Sequence, residues 1–261
     1  HGDVRDKKLL KKNLNWADIV VWMAALVGDG ACSINPKITF DINSESVKFL
    51  SKNFNKKIIF FSTCSVYGEQ DTIIDENANL NPLSVYAKSK ILAEKYLKNK
   101  KSFIFRLGTL FGVGDNYSRI RMDLAVNTLT AKAFFEKKLT IFGGEQYRPL
   151  LHVKDAARAI VHVTNSNKYG IYDLGYKNYK IINLGYEIQK FFKNKVKIQK
   201  ISMKFQDTRN YRVKCLKMKK ILKFKPIYSV KNGINEIYEL LNSKRIKNIN
   251  DPRYTNQKYL E

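Results

Sequence analysis

The sequence predicts a doubly wound α/β fold, a parallel sheet with helices on both faces, and a smaller lobe toward the carboxyl end. Three observations predict it. Apolar runs stand at 18–24, 57–62 and 102–107 with little polar alternation, as strands do when helices cover both faces. Amphipathic helical patterns fill the gaps, at 41–53 through Ile42, Val47, Phe49 and Leu50, and at 83–98 through Val85, Leu92, Ala93, Tyr96 and Leu97. Strand, helix, strand at this spacing requires right-handed crossovers between parallel neighbours.

Each element has its own reason. Asp18–Ala24, Lys57–Ser62 and Ser102–Leu107 are expected as buried strands, with the helices 41–53 and 83–98 between them. Beyond residue 107 the pattern is less regular. Helices are expected at 121–136 and at 154–165, where Asp155 falls in the first turn and suits the helix dipole. Ile171–Gly175 is expected to return a strand to the sheet, and helices at 180–193 and 230–243 flank a short basic strand near 196–201. The last residues, Asp251 to Glu261, are polar and expected to fray or pack loosely on the surface.

Composition narrows the class. A chain of 261 residues holds one large α/β domain, or one domain plus a lobe. No run reaches the roughly 18 apolar residues of a membrane-spanning helix. The start, His1-Gly2-Asp3-Val4-Arg5-Asp6, is neither an initiator Met nor a signal peptide. Cys32, Cys64 and Cys215 are odd in number and far apart, which argues against a disulfide framework or a zinc site and for a reducing cytoplasm. The net charge is +25, but the lysines are spread among Ile, Asn, Phe and Tyr over the whole length. There is no arginine-rich arm, zinc-finger spacing or aromatic-basic strand pair, so specific nucleic-acid binding is not expected. An anionic small ligand suits the charge equally well.

The chemistry centres on Tyr86-x-x-x-Lys90. Residues four apart share a helix face. A lysine there can lower the pKa of the phenol, which then accepts a proton from a substrate hydroxyl while a hydride leaves the same carbon. Spacing alone does not choose this pair, since it recurs at Tyr96/Lys100, Tyr176/Lys180, Tyr186/Lys190 and Tyr254/Lys258. Context does. Tyr86 opens a helix just after Asn81-Pro82, and that helix follows a buried strand ending in Ser62-Thr63-Cys64-Ser65. Ligands of open α/β sheets bind at the carboxyl ends of strands, where Thr63 could meet Tyr86 over a substrate. Turn formation and capping are the other reading of Ser62, Thr63 and Ser65.

The run Phe60-Phe61-Ser62-Thr63-Cys64-Ser65-Val66-Tyr67-Gly68, then Asp75-Glu76, then Asn81-Pro82-Leu83-Ser84-Val85-Tyr86-Ala87-Lys88-Ser89-Lys90, resembles the extended short-chain dehydrogenase/reductase family of NAD-dependent nucleotide-sugar epimerases and dehydratases. Other pieces fall in that family's order: Gly2–Asp6, Met23–Val27, Asn35-Pro36 with Asn43, Arg106–Gly112 and Arg148–Asp155. The likeness runs from residue 1 to about 245.

The resemblance implies a Rossmann-like domain of residues 1–106 plus 148–178 and a nucleotide-sugar lobe of 107–147 plus 179–261. It implies Tyr86 as general base, Lys90 as ribose anchor and Thr63 as a partner of the sugar hydroxyl. It places Asp3, Val4, Ala24, Ala25, Leu26 and Lys90 on the cofactor, and Thr109, Asn127, Arg148 and Arg209 on the nucleotide sugar. Arginine suits a diphosphate because its planar fork matches phosphate oxygens. His152 is implied to be structural. The implied cofactor is NAD, with NADP left open, and the implied assembly is a homodimer.

Two departures refine this. The Gly-x-x-Gly-x-x-Gly loop that meets the pyrophosphate does not follow any first strand here, and an amino-terminal truncation is the expected reason. The Asp-Glu pair that drives 4,6-dehydration is replaced by Cys64-Ser65, so dehydration is disfavoured. Cys64 reads as a packing residue, or else as an acid/base. Arg119–Asn127 with Asp207–Tyr211 resembles enzymes of bacterial surface-polysaccharide pathways. The expectation is an epimerase or 4-dehydrogenase acting at the sugar 4-position. The rival is a catalytically impaired relative that binds a nucleotide or partner.

Overall fold

The computed structural model describes residues 2–115, 119–202 and 209–261. Asp207 and Thr208 of the motif above lie outside these. The chain opens with α1 (Lys7–Trp16), capped by the Asp6 carboxylate on Leu9 N, and β1 (Ile19–Trp22). A helical stretch follows: α2 (Asp29–Ile34), α3 (Pro36–Phe40), a π turn at Asp41–Glu45 and α4 (Ser46–Asn53). Next come β2 (Lys57–Thr63), a 3-10 turn at Cys64–Tyr67, β3 (Glu69–Ile74), α5 (Val85–Leu97) and β4 (Ser102–Leu107). Then follow β5 (Thr109–Phe111), α6 (Ala125–Glu136), β6 (Lys138–Phe142), β7 (Tyr147–His152), α7 (Val153–Val163) and β8 (Gly170–Leu174). The chain finishes with β9 (Lys177–Lys180), α8 (Ile181–Phe191), β10 (Lys197–Ile201), β11 (Asn210–Val213), α9 (Leu216–Ile221), α10 (Val230–Asn242), a 3-10 turn at Pro252–Tyr254 and α11 (Asn256–Leu260).

The main sheet has the order β1-β2-β4-β8, parallel throughout. Alternate residues point to opposite faces of a strand. Ile58, Phe60 and Ile104 pack with Leu50 of α4 and Leu97 of α5. Ile59, Phe103, Phe105 and Tyr172 pack on the other face with Ala159 of α7 and Met218 of α9. This two-sided burial explains the continuous apolar runs of β2 and β4.

The first run behaves differently. β1 is covered on one face only, by Val20 and Trp22, while Ile19 and Val21 stay 37% and 39% exposed. It is the end strand of the described sheet, and its second face is only partly covered, which corrects the expectation of a strand buried on both sides.

A second apolar cluster joins α6, α8 and α10 to β6 and β7 through Val126, Leu139, Ile188 and Ile234. Small sheets β5-β7-β9, β6-β10 and β3-β11 tie it to the main sheet's carboxyl edge. Two glycines make the sharp corners there. Gly68 has φ +64°, and a side chain would strike Asn81 O; Gly112 has φ +88°, and a side chain would strike His152. Asp251–Glu261 is not a loose end: it forms the last 3-10 turn and α11, which packs on α2. No helix among the described residues is long and apolar enough to cross a membrane.

Candidate active site

Strands β2 and β4 end at Thr63 and Leu107, and a cavity of about 1000 Å³ opens beyond them. Ser84 caps α5 by accepting from Ala87 N at 3.2 Å, which sets Tyr86 in the first turn at the cavity wall. Thr63 Oγ1 accepts from Ser65 N at 3.1 Å and starts the 3-10 turn. The same threonine lines the cavity with Tyr86 and holds its phenol down against burial. Capping and substrate-facing placement therefore coexist at this residue. Lys90 lies one turn beyond Tyr86 and is 3% exposed. Its Nζ donates to Phe61 O at 2.9 Å and sits 5.9 Å from the Tyr86 ring centroid.

Burial sets the protonation of this pair. It pushes the Lys90 ammonium down to about 8, against the opposing fields of Cys32 and Glu94. It also pushes the Tyr86 phenol up, helped by Cys32 and opposed by the Thr63 side chain and the Arg121 charge. The phenol eased by Lys90, expected from sequence, is thus outweighed by desolvation in the protein alone. A cation brought against the phenol would act the other way.

A buried polar chain fixes α5 against the sheet. Glu94 accepts from Ser62 Oγ and pairs with Arg106 at 2.7 Å. Arg106 donates to Tyr67 Oη at 2.8 Å, and Tyr67 donates to Asp173 Oδ1 at 2.8 Å. Burial raises the Asp173 carboxyl to about 7. Cys64 is fully buried and its Sγ donates to Arg106 O at 3.2 Å. Burial pushes its thiol well up, and it does not reach the cavity: it is a packing residue.

Asn43 holds the loop after β1. Its Oδ1 accepts from Leu26 N at 2.8 Å, and its Nδ2 donates to Leu26 O at 2.9 Å and Ser89 Oγ at 3.1 Å. The loop is thereby fastened to α5, one residue from Lys90. Across the cavity stand Thr109, Arg121, Lys132, Arg148 and Arg209. Arg148 donates to Tyr147 O at 2.7 Å and to Arg209 O, and lies 5.6 Å from the Tyr211 ring. Arg209 pairs with Asp29 of the opposite wall at 2.8 Å.

Of the sequence-derived site residues, Thr63, Tyr86, Thr109, Arg148 and Arg209 line the cavity, with Lys90 beside Tyr86. Asp3, Val4, Ala24, Ala25, Leu26 and Asn127 do not. Asp3 pairs with Arg5 at 2.6 Å on the surface, which holds its carboxyl down to about 2. Val4 and Ala24 pack against the apolar cluster of α1 and α4. Asn127 is fully buried, accepts from Gly112 N at 3.0 Å and donates to Gly112 O and Arg121 O. Its amide braces backbone and does not line the cavity. His152 is likewise buried and bonded to Glu236 at 3.0 Å, a structural role. Sequence reasoning missed Asp29 and Lys132. The Gly28-Asp29-Gly30 loop was a signal, because it follows the first strand. Among the described residues no three His, Cys, Asp or Glu side chains are grouped to hold a metal.

A parallel sheet with a Tyr-Lys pair and a threonine at its carboxyl edge defines a dehydrogenase/reductase of the extended short-chain class. The chain belongs to the NAD dependent epimerase/dehydratase family, which matches residues 1–175. It is 38% identical over 109 residues to the "Uncharacterized UDP-glucose epimerase YtcB" of Bacillus subtilis, covering 39% of this chain and 33% of that protein. It is 36% identical over 102 residues to the N-acetyl-alpha-D-glucosaminyl-diphospho-ditrans,octacis-undecaprenol 4-epimerase of Escherichia coli O157:H7, covering 37% of this chain and 30% of that protein. These matches span about a third of the relatives' own length. Among solved structures, Pal from Bacillus thuringiensis superposes with TM-score 0.80 at 26% identity, over 93% of this chain and 82% of that one. A Bacillus cereus UDP-glucuronic acid 4-epimerase holding UDP-glucuronic acid and NAD superposes with TM-score 0.79 at 24% identity, over 93% and 81%, a likeness of fold.

Proposed function

We propose that the protein is a nucleotide-sugar 4-epimerase or 4-dehydrogenase, acting at the sugar 4-position with NAD. The observation that carries this is Tyr86 and Thr63 together on the cavity wall, with the buried Lys90 beside Tyr86. On this reading residues 1–106 with 148–178 carry the dinucleotide, and 107–147 with 179–261 carry the sugar nucleotide.

The residues fit the nicotinamide ribose. Lys90 is a buried ammonium with one hydrogen bond, to Phe61 O, while an ammonium has three donors. Lys90 and Tyr86 would hold the ribose, and the bound dinucleotide supplies a hydride acceptor. Thr63 orients the sugar 4-hydroxyl toward Tyr86, and Tyr86 would take its proton as the phenolate, formed once the charge of a bound oxidised dinucleotide offsets the burial that raises the phenol. Arg148 and Arg209 hold the diphosphate, with Arg121 and Lys132 adding positive field at the same wall. Cys64 is buried away from the cavity and Ser65 is no carboxylate, so the acid pair of a 4,6-dehydratase has no counterpart at these positions. The lipid-linked amino-sugar substrate in one relative's name supports a role in surface-polysaccharide synthesis.

Incubation with NAD and UDP-glucose, followed by separation of the sugars, tests the reading. A 4-epimer or a 4-ketone supports it and chooses between its two forms. A 4-keto-6-deoxy product would replace it with dehydration.

A further inference from the structure

We infer that residues 251–261 are a positioning segment of the active site, a strap that roofs the reactive end of the cavity and holds the sugar nucleotide there. The inference rests on the sugar-nucleotide reading of the cavity.

The strap is anchored on both walls. On the sheet side, Asn256 Nδ2 donates to Val27 O at 2.7 Å, in the loop after β1. On the α6 side, Asn256 N donates to Asp123 Oδ2 at 2.8 Å, and Arg119 donates to Asn256 Oδ1. Tyr254 O accepts from Met122 N at 2.8 Å. One side chain therefore joins two walls of the cavity. Just beyond the anchors, Gln257, Lys258 and Glu261 line the cavity itself.

The roof lies over the chemistry. Arg121 and Asp29 line the cavity together with Tyr86. The strap binds the segments that carry them, at Met122 and Asp123 and at Val27. A sugar reacting at Tyr86 would sit under it.

The strap is also built to open. α11 has five residues, too few to hold helical form alone. Tyr259 and Leu260 are 61% and 44% exposed, so little apolar surface keeps it down. Asp29 Oδ1 and Thr255 Oγ1 at the seam are buried without a hydrogen-bond partner, which weakens closure. Segments of this kind open locally without global unfolding. Entry of a ligand needs that opening, and a ligand beneath the roof then stabilises the closed form by linkage.

UDP-glucose is the probe for the test. In the intact chain, saturating UDP-glucose is expected to slow trypsin cleavage after Arg253 and Lys258 about tenfold, because ligand and closed strap stabilise each other. Asn256→Ala, and a chain ending at Asn250, are each expected to release UDP-glucose about tenfold faster, as contacts that hold a ligand act mainly on dissociation. A merely structural segment would lower the melting temperature of Asn256→Ala and leave the release rate alone, which overturns the inference. Tail cleavage that ignores a bound ligand overturns it as well. If the intact chain does not bind UDP-glucose at all, the sugar-nucleotide reading fails, and the inference with it.

Discussion

Lys90 carries its charge almost out of reach of water, beside the Tyr86 ring and with a single carbonyl partner. Its folded-state pKa of about 8 lies below the ordinary 10.5, so the cation destabilises the folded protein at neutral pH. The penalty shrinks as pH rises from about 8 toward 10.5. Lys90→Met is therefore expected to raise the melting temperature by about 2–4 °C at neutral pH while abolishing turnover, and to lose that advantage at alkaline pH. Thermal melts across pH check it. Asp173 behaves in the opposite sense. Its carboxyl holds a proton up to about 7, whereas an unfolded Asp releases it near 3.8, so its contribution to stability falls as pH rises through that window. Asp173→Asn is expected to gain on the parent in melting temperature over the same window. At this scale the sequence pointed to Tyr86, because Asn81-Pro82 and the Thr63 strand end gave it a context its four rivals lacked. It could not show Asn127 as a buried brace, because the amide's partners are backbone groups of Gly112 and Arg121, which only the folded turn brings near.

Helix α5 is the element on which the site depends, and the Glu94–Arg106 pair fixes it to β4. Both side chains are about 95% buried, so removing one leaves the other charge without compensation. Glu94→Ala is expected to cost about 3–5 kcal/mol in denaturant unfolding. Glu94→Gln, which can still accept from Ser62 and Arg106, is expected to cost less. Strands β2 and β4 were legible because helices cover both faces, leaving a continuous apolar run. Strands β3 and β11 were not. They pair with each other from opposite ends of the chain, as Ile74 beside Val213, and neither carries a run long enough to announce itself. β1 was legible as a strand but not as a half-covered one, since periodicity cannot say which neighbours are present.

At the scale of the molecule, the cavity lies where the strand ends of the parallel sheet face residues of α6, β6 and β7. The net charge of +25 is diffuse along the sequence, but folding gathers Arg121, Lys132, Arg148 and Arg209 around one cavity. That concentration is what suits a diphosphate, and composition could not show it. The closing segment was illegible for the same reason. A polar, helix-poor tail looks loose until Val27 and Asp123, separated by nearly a hundred residues, provide its two anchors.

The most direct test of the central claim is the nicotinamide absorbance of the NAD-loaded protein on mixing with UDP-linked sugars. The parent protein is expected to reduce its cofactor with at least one of them, and Tyr86→Phe to do so about a hundred- to ten-thousand-fold more slowly with unchanged sugar binding. Equal rates in the two proteins, or no reduction by a parent protein that binds both ligands, would contradict the role given to Tyr86.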